Sequence, residues 1–118
     1  MTENGPVYEK SFKFALSIVA LYKKLVKQKE FVISKQLLRS GTSVGANIRE
    51  ASAAESKKDF IHKMSISSKE ARESLYWLEL LRESKMVDLQ FQDEIKQSKE
   101  LVRLLTSIVK TAKLNTKN

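Results

Sequence analysis

Apolar residues recur along most of this chain at steps of three and four, the period at which side chains return to one face of an α-helix. From Tyr8 the positions Phe12, Ala15, Ile18 or Val19, Tyr22, Leu25 and Val26 keep that step, and Pro6 stands where its missing N–H suits a first helical turn. A first helix is predicted over about 7–28. After the joint KEFVI, Ser34 is an N-cap candidate for a second helix over about 34–55, with Leu37, Gly41, Val44, Ile48 and Ala51 on one face. Ser56, followed three residues later by Asp59, resembles a capping box and opens a third helix over about 57–84, with Phe60, Met64, Ser67, Ala71, Leu75 and Leu78 inward. The segment ESKMVD breaks the period. Asp88 then caps a fourth helix over about 88–113, with Phe91, Ile95, Leu101 or Val102, Leu105, Ile108 and Ala112 inward.

One proline and three glycines in 118 residues leave nothing to punctuate a multi-stranded sheet. The class is all-α. Short joints favour antiparallel neighbours, so the expected architecture is a single-domain, antiparallel up-down-up-down four-helix bundle covering residues 1–118. Hydrophobic residues make up 42% of the chain and are spread periodically, as in a globular protein. No apolar run approaches the roughly 18 residues of a membrane span, and MTENGPVYEKSF has no apolar core of a secretory signal. Cysteine is absent, which removes disulfides, thiolate metal sites and cysteine nucleophiles and points to the cytoplasm.

The stretch LLRSGTSVGANIREASAAESKKDF raises the question of a phosphate loop, because Gly41 and Gly45 stand among Ser, Thr and Ala. A Walker-type loop needs wider glycine spacing, a following Lys-Ser or Lys-Thr and a preceding strand. Here Ala46 and Asn47 follow, inside a helical period. If the second and third helices fold back at Glu55 and Ser56, Leu37 meets Leu75, Gly41 meets Ala71, Gly45 meets Ser67 and Ile48 meets Met64. Small residues then face small ones, so Gly41, Gly45, Ser67 and Ala71 are expected to mark a close helix contact. Glycine in a helix interior costs about 1 kcal/mol relative to alanine, so two of them imply a gain from close packing.

The segment LLRSGTSVGANIREASAAESKKDFIHKMSISSKEARESLYWLELL, extended upstream by FVISKQLLRS, resembles the signature of the 23S ribosomal RNA intervening-sequence proteins, a bacterial four-helix-bundle family also described as small-ribosomal-protein-like. The resemblance implies a bundle assembled into a ring-shaped homopentamer and encoded in some bacteria within an insertion in the large ribosomal RNA gene. It also implies kinship with the basic, nucleic-acid-binding accessory protein of diversity-generating retroelements. The chain departs from the family's pattern at Ser67 and Ser68, where alanine or leucine is expected in at least one place.

His62 is the only histidine and forms one D-x-x-H step with Asp59. Carboxylate metal sites in bundles need several inward Glu and two Glu-x-x-His motifs, so Asp59 reads as a cap and His62 as a surface residue. No metal site, cofactor, catalytic residue or small-molecule substrate is expected, and no membrane partner. Ile66 and Trp77 share a stripe displaced from the Leu75 and Leu78 line, which makes them candidates for an oligomer interface.

Charge changes the picture more. The chain carries 22 basic and 14 acidic residues, a net +8, and the excess sits in residues 8–40 and 99–118. In an up-down-up-down bundle the first and fourth helices are neighbours, so the expected nucleic-acid-binding surface gathers Lys10, Lys13, Lys23, Lys24, Lys27, Lys29 and Lys35 with Lys99, Arg103, Lys110 and Lys113. Arg39, Arg49 and Arg72 are secondary candidates, since arginine bridges phosphate or fixes a subunit contact equally well. The expected function is that of a non-enzymatic, oligomeric nucleic-acid-binding module, for RNA rather than DNA. The alternative is a structural assembly protein whose ring recruits a protein partner.

Overall fold

A computed structural model describes residues 5–116. Four helices follow one another: α1 (Pro6–Lys27), α2 (Ile33–Ser52), α3 (Lys57–Ser84) and α4 (Gln92–Thr116). Each packs on its neighbours in sequence, and α4 returns to α1, while the backbones of the diagonal pairs, α1 with α3 and α2 with α4, stay apart across the core. This is the up-down-up-down bundle, a rod of 51 × 22 × 21 Å. Its core is one stripe per helix: Phe14, Ile18 and Leu25 from α1, Leu37, Val44 and Ile48 from α2, Met64, Ala71 and Leu78 from α3, and Leu101 and Leu105 from α4 are almost wholly buried.

Three local details differ from the reading above. Ser34 does not cap α2. The buried Glu30 carboxylate does so, accepting from the backbone N–H groups of Val32, Ile33 and Ser34 at 3.2, 3.1 and 2.6 Å, while the Ser34 hydroxyl donates back to the Glu30 carbonyl at 2.7 Å. An anion on three otherwise orphaned donors suits the positive end of a helix. Nor does Asp88 cap α4, which starts at Gln92. The Gln28 side-chain amide, in the joint after α1, clasps the Asp88 backbone instead: it donates to the carbonyl at 3.1 Å and accepts from the N–H at 2.9 Å. This clasp ties two joints at one end of the rod, after Lys85, with a φ of 55°, has ended α3. Lastly, α2 ends at Ser52 rather than near residue 55. Ser56 does cap α3, accepting from Asp59 N–H at 3.0 Å.

The glycines lie in α2, with their partner in a different place from the one expected. A Cβ on Gly41 would stand 2.9 Å from both Cγ1 and Cγ2 of Ile18, and one on Gly45 would stand 3.3 Å from Ser11 Oγ. At both, the nearest atoms belong to α1. The α2–α3 register is nonetheless near the expected one, carried by serines: Ser67 donates to the Val44 carbonyl at 2.8 Å, and the Ser40 and Ser74 hydroxyls hydrogen-bond each other at 2.9 Å. Buried hydroxyls of this kind are tolerated because they are paired.

Candidate functional site

Helical spacing puts Ser65, Ser68 and Arg72 on one face of α3, and Thr106, Lys110 and Lys113 on one face of α4. Arg72 Nη2 donates to Thr106 Oγ1 at 3.1 Å across the seam, which sets the antiparallel register. One turn further, Ser68 stands level with Lys110, and the next step brings Ser65 level with Lys113. These six, with Val109, line a depression of about 440 Å³ that contains no carboxylate. Toward the clasped end of the rod the same register sets Arg82 level with Lys96. There a second depression of about 450 Å³ is lined by Arg82, Lys96, Lys99 and Arg103, with Glu100 as its one carboxylate. The α3–α4 groove thus carries cations along most of its length.

Between α1 and α4 the cations are interrupted by carboxylates, and only Lys24 and Lys96 share a depression there. The side of α4 that faces α1 presents Asp93, Glu94, Gln97 and Glu100, with Lys96 at their edge, to Ser17, Leu21 and Lys24. Gln97 donates to Ser17 Oγ at 3.1 Å, and Lys10, half-buried, pairs with Glu100 at 3.2 Å. Lys13, Lys23, Lys24, Lys27, Lys29 and Lys35 are all exposed, but over several directions: Lys23 shares the helical phase of Phe12 and Leu16, while Lys24 faces the carboxylates. Lys99, Arg103, Lys110 and Lys113 are exposed as well, and turn toward α3. Summing charge by segment adds all faces of a helix together, and so hides which face carries it.

The three secondary arginines separate by what they touch. Arg39 bridges Glu70, at 3.6 Å, and Glu73. Arg49 lies between two aromatic rings of α1, 4.9 Å from the Tyr8 centroid and 5.0 Å from that of Phe12. Only Arg72 faces a groove without a carboxylate. Trp77 is half-buried and its indole N–H donates to Glu73 at 3.2 Å, and Ile66 is half-buried too. The more exposed apolar stripe is on α1, where Phe12, Leu16 and Val19 are 48, 56 and 36% exposed. Phe12 therefore leaves the core face on which the periodic reading placed it, because Phe14 fills that face, and of the alternatives Ile18 and Val19 it is Ile18 that is buried. Asp59 begins α3 and His62 is exposed, and no group of three or more metal-binding side chains occurs among the described residues. No helix among the described residues is long and apolar enough to cross a membrane. Ser65, Ser68, Thr106, Arg82 and Lys96 escaped sequence reasoning, although the phase of Thr106, Lys110 and Lys113, four and then three residues apart, was there to find.

Residues 3–107 match the family described as 23S rRNA-intervening sequence protein. The chain belongs to this family. The family match takes in α1 and most of α4, beyond the helices whose sequence carried the resemblance, and stops short of Lys110 and Lys113. A solved structure of a protein of unknown function from the S23 ribosomal protein family of Bacteroides thetaiotaomicron VPI-5482 is similar to it, with 55% identity and a TM-score of 0.83 over 88% of this chain and 95% of that one. No curated protein matches the chain.

Proposed function

We propose that this family member is a non-enzymatic, oligomeric nucleic-acid-binding module of the cytoplasm, which holds structured RNA by its phosphate backbone in the α3–α4 groove. The observation that carries the reading is the convergence of Arg72, Lys110 and Lys113 with Lys96, Lys99 and Arg103 on one groove, against a single lining carboxylate, with Arg82 there already paired to Glu83 at 2.6 Å. RNA is preferred to DNA because the family description names ribosomal RNA. No aromatic side chain lines either depression, so no platform exists there for stacking unpaired bases, and duplex shape is the better fit. If about five phosphates are neutralised, the log-log salt slope of RNA hairpin binding is about −4 to −5, with little dependence on sequence. Filter-binding titrations across a salt series measure it. Absence of binding at about 50 mM salt, where phosphate contacts are strongest, removes the reading and leaves the assembly role.

Self-association is supported by the α1 stripe, since an apolar ridge of Phe12, Leu16 and Val19 on the outside of a small bundle is open to a partner surface. The number five comes from the family resemblance alone. Sedimentation equilibrium at micromolar concentration is expected to give a mass several times that of one 13.5 kDa chain; a mass equal to one chain would remove the oligomeric part.

A further inference from the structure

Seven serines are buried in the bundle, and all but one have a hydroxyl partner. Ser11, Ser34, Ser67, Ser74 and Ser98 bond to backbone carbonyls, and Ser40 to Ser74. Ser68, only 6% exposed, makes no side-chain hydrogen bond to any described residue. Its hydroxyl opens into the carboxylate-free depression between α3 and α4, level with Lys110 and one turn from Arg72. That hydroxyl reaches the solvent of the depression, so its donor and acceptor are both free to meet a ligand there.

The surrounding groups specify what that ligand is. Because Arg72 donates to Thr106 Oγ1, the threonine hydrogen is left free to point into the depression, and the remaining guanidinium donors stay available. Ser65, Ser68 and Thr106 add three hydroxyl donors to three cations, Arg72, Lys110 and Lys113. A chain phosphodiester carries one negative charge, whereas a phosphate monoester carries about 1.5 to 2 at neutral pH and has three strong acceptor oxygens. Three cations with no carboxylate match the monoester better. The second depression, with Glu100 among its cations, lacks both the hydroxyl cluster and the charge purity, and suits a passing backbone.

We propose that this end of the groove is a pocket for a terminal phosphate monoester, so that the protein takes an RNA end there while the adjoining cations follow the backbone. The RNA part of the proposal rests on the function proposed above; the phosphate pocket itself does not.

Three RNA hairpins of one sequence test it, carrying a 5′-phosphate, a 3′-phosphate or hydroxyls at both ends. Expected is about tenfold or tighter binding of one phosphorylated hairpin than of the hydroxyl form, since each charge-assisted hydrogen bond is worth that much. The preferred hairpin identifies the end. Ser68→Ala removes a hydroxyl with no protein partner and so should melt like the parent, yet it should shrink the preference, and Arg72→Gln should abolish it. Equal binding of all three hairpins, or a preference that survives both variants, overturns the pocket and leaves the nucleic-acid reading standing. If no hairpin binds, inorganic phosphate decides: amide NMR shifts at Ser68, Arg72 and Thr106 that fade in Ser68→Ala uphold a phosphate pocket, and their absence overturns it.

Discussion

Leucine in place of Gly41 is expected to destabilise the bundle by roughly 1 to 3 kcal/mol, although leucine is the better helix former by most of a kcal/mol. The reason lies in the α1–α2 seam. Even a bare Cβ at position 41 would stand 2.9 Å from Cγ1 and Cγ2 of Ile18, closer than real Cβ atoms come, and Ile18 is fully buried. A β-branched side chain has few rotamers to retreat into, so α1 itself must move. Alanine at 41 should already lose stability for this reason. Gly45→Ala is the built-in comparison, because its Cβ meets Ser11 Oγ at 3.3 Å and the Ser11 backbone at an ordinary 3.5 Å. There the gain in helix propensity and the small crowding nearly cancel, so little change is expected. Urea denaturation of the three variants measures the differences. A Gly41→Ala bundle at least as stable as the parent would show that α1 and α2 have slack at this level.

The same comparison shows what could be read from the sequence and what could not. Periodicity found four helices and most of their inward residues, since burying one stripe per helix is what a bundle requires and the stripe is written locally. It also identified Gly41 and Gly45 as positions where something comes close. The fold-back pairing assigned them to α3, whereas the atoms nearest a Cβ at either position belong to α1, since both helices flank α2. Caps failed where the partner was not a neighbour of the usual kind. The Gln28 clasp on Asp88 joins residues 60 positions apart, and no local pattern announces it. Glu30 caps α2 only because Lys29 turns the chain with a φ of 66°. For the site, the type of residue was legible and the face was not. Lys99 and Glu100 are adjacent in sequence, but a step of about 100° keeps Lys99 on the α3 side and lets Glu100, at the groove's edge, reach Lys10 of α1. Whether two basic helices fuse their fields depends on those few degrees of phase.

That dependence on phase supplies the largest effect expected of any variant. Changing Lys96, Lys99 and Arg103 to Glu removes three cations from the α3–α4 groove, whereas changing Lys23, Lys24 and Lys27 to Glu removes three from α1. Both variants lose the same six units from a net charge of +8, so the overall field falls equally and only the place differs. At about 50 mM salt each neutralised phosphate contributes on the order of tenfold to affinity, so the groove variant should lose on the order of 10³-fold in RNA binding and flatten the salt slope by about 2 to 3. The α1 variant should lose less than about tenfold and keep its slope, since Lys24 already faces Asp93 and Glu94 and Lys23 points along the apolar stripe. Folding should persist in both. Lys24 and Lys27 sit in the last turn of α1, where a positive charge offsets the helix dipole, so reversing them costs about 0.3 to 1 kcal/mol each, which melting curves would register. Should the α1 variant be the one that loses binding, the polyanion surface lies on α1. Equal losses would mean that net charge alone attracts RNA, and the groove would then have no special part in holding it.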